Sequence, residues 1–78
     1  MATRRQNEKK FRNWQELGGG GRRYWYDTER EDGSTIRYVK IVDAGEVTTA
    51  LIQELYDARG NLISIHEKFP MDRGHRAV

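Results

Sequence analysis

The chain has 78 residues, a third of them charged, a net charge of +2 and no cysteine. That length holds one domain with a small core, and without cysteine there is no disulfide framework and no thiolate metal site. No apolar run reaches membrane-spanning length and the basic N-terminus lacks the apolar stretch of a signal peptide, so a cytoplasmic protein with no membrane partner is expected.

The charge is unevenly spread. Residues 1–23 carry seven basic side chains against two acidic ones, a net +5, and the remainder carries seven basic against ten acidic, a net −3. A basic arm beside a mildly acidic body meets either an external anion or that body. Residues 1–21 read as this arm with a glycine linker, and 22–78 as a single small β-sheet domain. Phe11, Trp14 and Leu17 are three apart and mark one face of a short helix. No firm N-cap is evident, and so thin an apolar stripe makes an isolated helix marginal. Arg4, Arg5, Lys9, Lys10, Arg12, Arg22 and Arg23, with Trp25 as a stacking ring, form the candidate nucleic-acid-binding set.

Gly18 to Gly21 are four consecutive glycines. A phosphate-cradling loop needs Lys and then Ser or Thr after its last glycine, whereas Arg22 and Arg23 follow here. The run reads as a flexible linker or connecting turn.

Arg23 to Glu29 is dense in aromatics and predicts a strand, with Tyr24, Tyr26 and Thr28 on one face and Arg23, Trp25 and Asp27 on the other. An Asp-Gly turn at 30–34 leads to Thr35–Val42, the strongest strand signal. Ile36, Tyr38 and Val42 point one way there, Val39 and Ile41 the other. Residues 47–58 are ambiguous between strand and helix, and a helix would make the fold α+β. Consecutive threonines and the stranding of Ile52 and Tyr56 on a helix's polar side favour a strand.

Asp57 and Gly60 then set a hairpin turn. The stretch Tyr56-Asp57-Ala58-Arg59-Gly60-Asn61-Leu62 resembles the tyrosine–aspartate repeat of large bacterial surface and toxin proteins. It covers one turn in a single copy, and the resemblance implies a hairpin and nothing about function. With Ala58, Arg59 and Gly60 as the loop, Leu55 is expected to face Ile63, Gln53 to face Ile65 and Thr49 to face Phe69. Leu51, Leu55, Ile63, Ile65 and Phe69 then share the core face, with Ile52, Tyr56, Leu62, His66 and Lys68 behind it. Pro70 ends the strand.

The tail beyond it holds unusual chemistry. His66, Glu67, Lys68, Asp72, Arg73, His75 and Arg76 fall within eleven residues. His66, Lys68, His75 and Arg76 could supply the base, acid and cations of a metal-independent ribonuclease. A zinc helix would need a second histidine where Pro70 stands, so no metal site and no cofactor is expected. The whole predicts a mainly all-β protein, a small four-stranded antiparallel meander with a short N-terminal arm or helix. The function expected is a non-enzymatic binding module, dimeric, with nucleic acid or an acidic protein as partner. A toxin-type ribonuclease and an antitoxin-like interaction partner are the alternatives.

Overall fold

The computed structural model describes residues 2–78. In chain order it comprises helix α1 (Arg4–Phe11), β1 (Asn13–Glu16), a short 3₁₀ turn (Gly18–Gly20), β2 (Arg22–Glu29), β3 (Thr35–Val42), β4 (Thr48–Tyr56), β5 (Leu62–Phe69) and β6 (His75–Ala77). The strands form one open antiparallel sheet in the order β1-β2-β3-β4-β5-β6. The mainly-β antiparallel expectation is met, and residues 48–56 are strand. The expected four strands are corrected to six. The added ones, β1 and β6, are short edge strands whose residues are all exposed. They carry no alternating apolar pattern, so backbone pairing with β2 and β5 forms them.

The helix has a cap that the sequence reading missed. Gln6 N–H donates to Thr3 Oγ1 at 3.2 Å, and Thr3 N–H donates to Gln6 Oε1 at 2.9 Å. This reciprocal box satisfies two otherwise orphaned amides. The helix stops at Arg12, whose φ is 61°. The three-residue spacing is therefore not a helix face, because Phe11 ends α1 and Trp14 lies in β1.

Phe11 packs against β2 with its ring centroid 5.7 Å from Tyr24 and 5.5 Å from Tyr26. Phe11, Tyr24 and Val42 form a small buried core at the α1 end of the sheet. The register assigns the two faces. Tyr24 opposes Lys40, Tyr26 opposes Tyr38 and Thr28 opposes Ile36. Lys40, Tyr38 and Ile36 in turn oppose Leu51, Gln53 and Leu55. Cross-strand partners share a face, so these side chains all lie on the helix side, while Trp25, Arg37, Val39, Ile52 and Glu54 lie on the other.

The β4–β5 turn forms as expected. Asp57 N–H donates to Asn61 O at 2.9 Å, and Gly60 takes the left-handed φ of 87° that the turn requires. The register beyond it is corrected. Leu55 faces Ser64 rather than Ile63, and Gln53 faces His66 rather than Ile65. Ile63 is an extra residue between the pairs Tyr56–Leu62 and Leu55–Ser64, and such a bulge moves every following side chain to the other face. A second irregularity passes over Lys68 and sets Phe69 opposite Leu51 rather than Thr49. The expected core face therefore does not exist as a unit: Leu51, Ile63 and Phe69 are 38%, 41% and 41% exposed. The helix covers only the β1–β3 end, so no burial on β4 and β5 opposes the shift.

Candidate functional site

Much of the arm's charge is spent within the chain. Glu46 Oε1 accepts from Arg4 Nε at 2.7 Å, and Glu46 Oε2 accepts from Asn7 Nδ2 and Tyr24 OH, both at 2.9 Å. Glu46 reaches beneath the helix because it sits at φ 63°, in a turn where Asp43 Oδ1 accepts from the Gly45 and Val47 amides. Burial pushes the Glu46 carboxyl up, but the donors Asn7, Arg4 and Tyr24 together hold it below the ordinary value. Lys40 donates to Asn7 Oδ1 at 2.9 Å; burial, with Lys10 nearby, lowers its pKa. Arg22 pairs with Glu8; its Nε lies 2.7 Å from Glu16, off-line for a hydrogen bond, so that contact is ionic. Arg23 pairs with Glu54 at 3.2 Å.

Four cations of the arm, Arg5, Lys9, Lys10 and Arg12, are exposed and form no ion pair among the described residues. Trp25 lies on the face away from the helix. Arg23 and Arg37 stand over its ring at 5.2 and 5.7 Å, and Arg37 is held there by Asp27 at 2.8 Å.

The helix side carries a second aromatic surface. Tyr26 and Tyr38 stack with centroids 4.9 Å apart and planes 25° apart. With Phe11, Leu51 and Gln53 they line a trough of about 150 Å³, and Lys10 and Lys68 also line it. Neither lysine has an ion pair among the described residues. The register places no carboxylate of β2 to β6 on this face. Asp27, Glu29, Glu54 and Glu67 all fall on the other one, being opposite Arg37, Thr35, Ile65 or Ile52. The trough is therefore aromatic and rimmed by two lysines, while the carboxylates Glu46, Glu16 and Asp72 lie elsewhere on this side against Arg4, Arg22 and His66.

Comparison with protein-family models, curated proteins and solved structures gives no match. The geometry alone carries the reading.

The tail cluster is divided between the faces. β6 pairs with β5 so that His75 opposes His66 and Arg76 opposes Ile65. The two imidazoles are neighbours on the helix side, with centroids 4.4 Å apart. Arg76 is on the opposite side, lining a hollow of about 360 Å³ with Ile52, Ile65 and Glu67. His66 Nε2 lies 2.6 Å from Asp72 Oδ1, and His66 Nδ1 is buried without a partner. A carboxylate only accepts, so Nε2 carries the proton of the neutral ring. The Gly74 amide and then His66 hold the Asp72 carboxyl below its ordinary value. His75 is exposed, with Nδ1 3.3 Å from Ser64 Oγ. Arg73 pairs with Glu67 at 3.1 Å. No group of three His, Cys, Asp or Glu among the described residues could hold a metal, and no helix there is long and apolar enough to cross a membrane.

Sequence reasoning missed Tyr38 and Gln53 as site residues. The alternation of Tyr24 and Tyr26 was legible. Placing Tyr38 against Tyr26 needed the register set by the Arg30–Ser34 turn, where Arg30 N–H donates to Ser34 O at 2.8 Å.

Proposed function

We propose that the protein is a binding module for single-stranded nucleic acid and that the strand lies on the helix side of the sheet. One observation carries the reading: the stacked Tyr26–Tyr38 pair lines a trough flanked by two lysines that form no ion pair among the described residues. Aromatic rings offer any base a stacking surface worth about 1–3 kcal/mol each, and flanking cations engage the backbone phosphates.

The histidine geometry supports binding over cleavage. A base–acid pair needs two imidazoles with a nitrogen each to offer substrate, whereas one His66 nitrogen is engaged by Asp72 and the other is buried. The reading is tested by fluorescence anisotropy with labelled single-stranded oligonucleotides at low salt. Tyr38→Leu keeps an apolar side chain but removes the ring, and is expected to weaken binding roughly 5- to 150-fold. Trp25→Leu, on the other face, is expected to leave affinity within about twofold if folding is retained by circular dichroism. Equal affinity of Tyr38→Leu and the wild type, or no binding by the wild type, refutes the reading.

A further inference from the structure

We propose that this surface takes two successive nucleotides, and that the second is gripped through His75 only when that imidazole is protonated. The inference rests on the single-strand reading above and adds its register and its regulation.

A second hollow adjoins the aromatic trough on the same face. It measures about 130 Å³ and is lined by Arg30, Ile36, Gln53, Leu55 and His75. Gln53 lines both hollows, at about 150 and about 130 Å³, and so stands between them. Each is well below the roughly 300 Å³ at which whole small-molecule pockets begin, so each suits one planar ring rather than a complete cofactor. The Gln53 amide offers both a donor and an acceptor to the edges of bases on either side. The outer rims are both cationic, Lys10 and Lys68 on one hollow and Arg30 and His75 on the other. Two apolar-floored hollows side by side, a polar divider and cations at both ends match a dinucleotide step with its flanking phosphates.

Histidine is the side-chain type that gains charge between about pH 5 and 8, and His75 is the histidine lining this hollow. The groups facing it are His66 and Ser64 on β5, with Asp72 reached through His66, and Arg30 across the hollow; β4 contributes only uncharged Gln53 and Leu55. Glu67, Arg73 and Arg76 lie toward the opposite face or pair with each other. When His75 is protonated, Nδ1–H donates to Ser64 Oγ, and Nε2–H, without a partner among the described residues, is free to donate to a phosphate oxygen. Two imidazolium rings 4.4 Å apart repel each other. Asp72 pairs with His66, whereas His75 forms no ion pair among the described residues, so an added anion offsets its charge more fully. Binding a phosphodiester therefore draws a proton onto His75, and by linkage acidification strengthens binding.

The test is anisotropy with a labelled oligouridylate and a labelled oligothymidylate, from about pH 8 to about pH 5, read on whichever binds and repeated over a salt series. Affinity is expected to rise about tenfold on acidification, as one charge-assisted hydrogen bond is gained. The salt slope should steepen by about 0.7, as one more phosphate is neutralised. His75→Gln should keep the alkaline affinity and lose both responses, whereas His66→Gln should retain them. Binding that is indifferent to pH, or a pH response that survives His75→Gln, overturns this inference and leaves the single-strand reading standing. Absence of binding at every pH overturns both.

Discussion

Removing the Glu46 side chain should unlatch the helix from the sheet. Glu46 is the shared acceptor for Tyr24 OH and Asn7 Nδ2, both at 2.9 Å, and these partners are 0% and 1% exposed. In Glu46→Ala both donors lose their partner in a site that water enters poorly. A buried donor left unsatisfied costs about 1–3 kcal/mol. Some water can follow the Arg4 side of the cluster, where that side chain is 40% exposed, so the sum expected is about 2–4 kcal/mol rather than the full range. A domain this small has total stability near the low end of about 5–15 kcal/mol, so the loss is a large share. Thermal unfolding followed by circular dichroism should show Tm lowered by roughly 10–30 °C. Urea unfolding should show a lower midpoint with an unchanged slope, since the surface exposed on unfolding is the same. Tyr24→Phe removes one donor and leaves the carboxylate its other two, so its cost should be about 1 kcal/mol. The double variant should cost less than the sum of the singles, because the two share one interaction. A Glu46→Ala protein within about 0.5 kcal/mol of the wild type would refute the claim that this carboxylate latches α1 onto β2.

The same latch should be acid-sensitive. Glu46 is held below its ordinary value near 4.5, so its contribution is complete above that value and is lost as pH falls through the depressed one. Asp57, held down chiefly by the Asn61 amide, and Asp72 act with the same sign. Denaturant midpoints should therefore fall on acidification below about pH 4.5, and Glu46→Gln should flatten part of that fall. The glycine run should divide sharply. A Cβ on buried Gly21 would sit 2.6 Å from Val42 O, whereas one on Gly18 would meet nothing within 4 Å. Gly21→Ala should cost about 1–3 kcal/mol. Gly18→Ala should be neutral or stabilising by less than about 1 kcal/mol, and urea midpoints separate the two.

What the residues determine locally was legible without coordinates. Alternation in 23–29 and 35–42 sets the faces of β2 and β3, the Asp57–Gly60 turn sets a hairpin, and paired threonines turn 48–56 away from helix. The capping box at Thr3 and Gln6 was equally local and could have been read from its spacing. Other features depend on what lies across the sheet. The Ile63 bulge carries no sequence mark of its own, yet it turns His66 toward His75 and Ile65 away, and so decides which side the tail chemistry occupies. β1 and β6 exist because β2 and β5 offer open backbone edges, and their own side chains do not demand pairing. The arm's charge pattern was visible, but not its fate: Arg4 and Arg22 are consumed by Glu46, Glu8 and Glu16, while Lys10 joins Lys68, nearly sixty residues away, at the trough. The sequence by itself determined the four central strands, the turns and the charge, because these follow from each residue's own backbone and side-chain preferences. Only the tertiary structure decided which charges are neutralised and which aromatics lie open between cations, because both depend on a cross-strand register set by bulges and by a helix that covers just one end of the sheet.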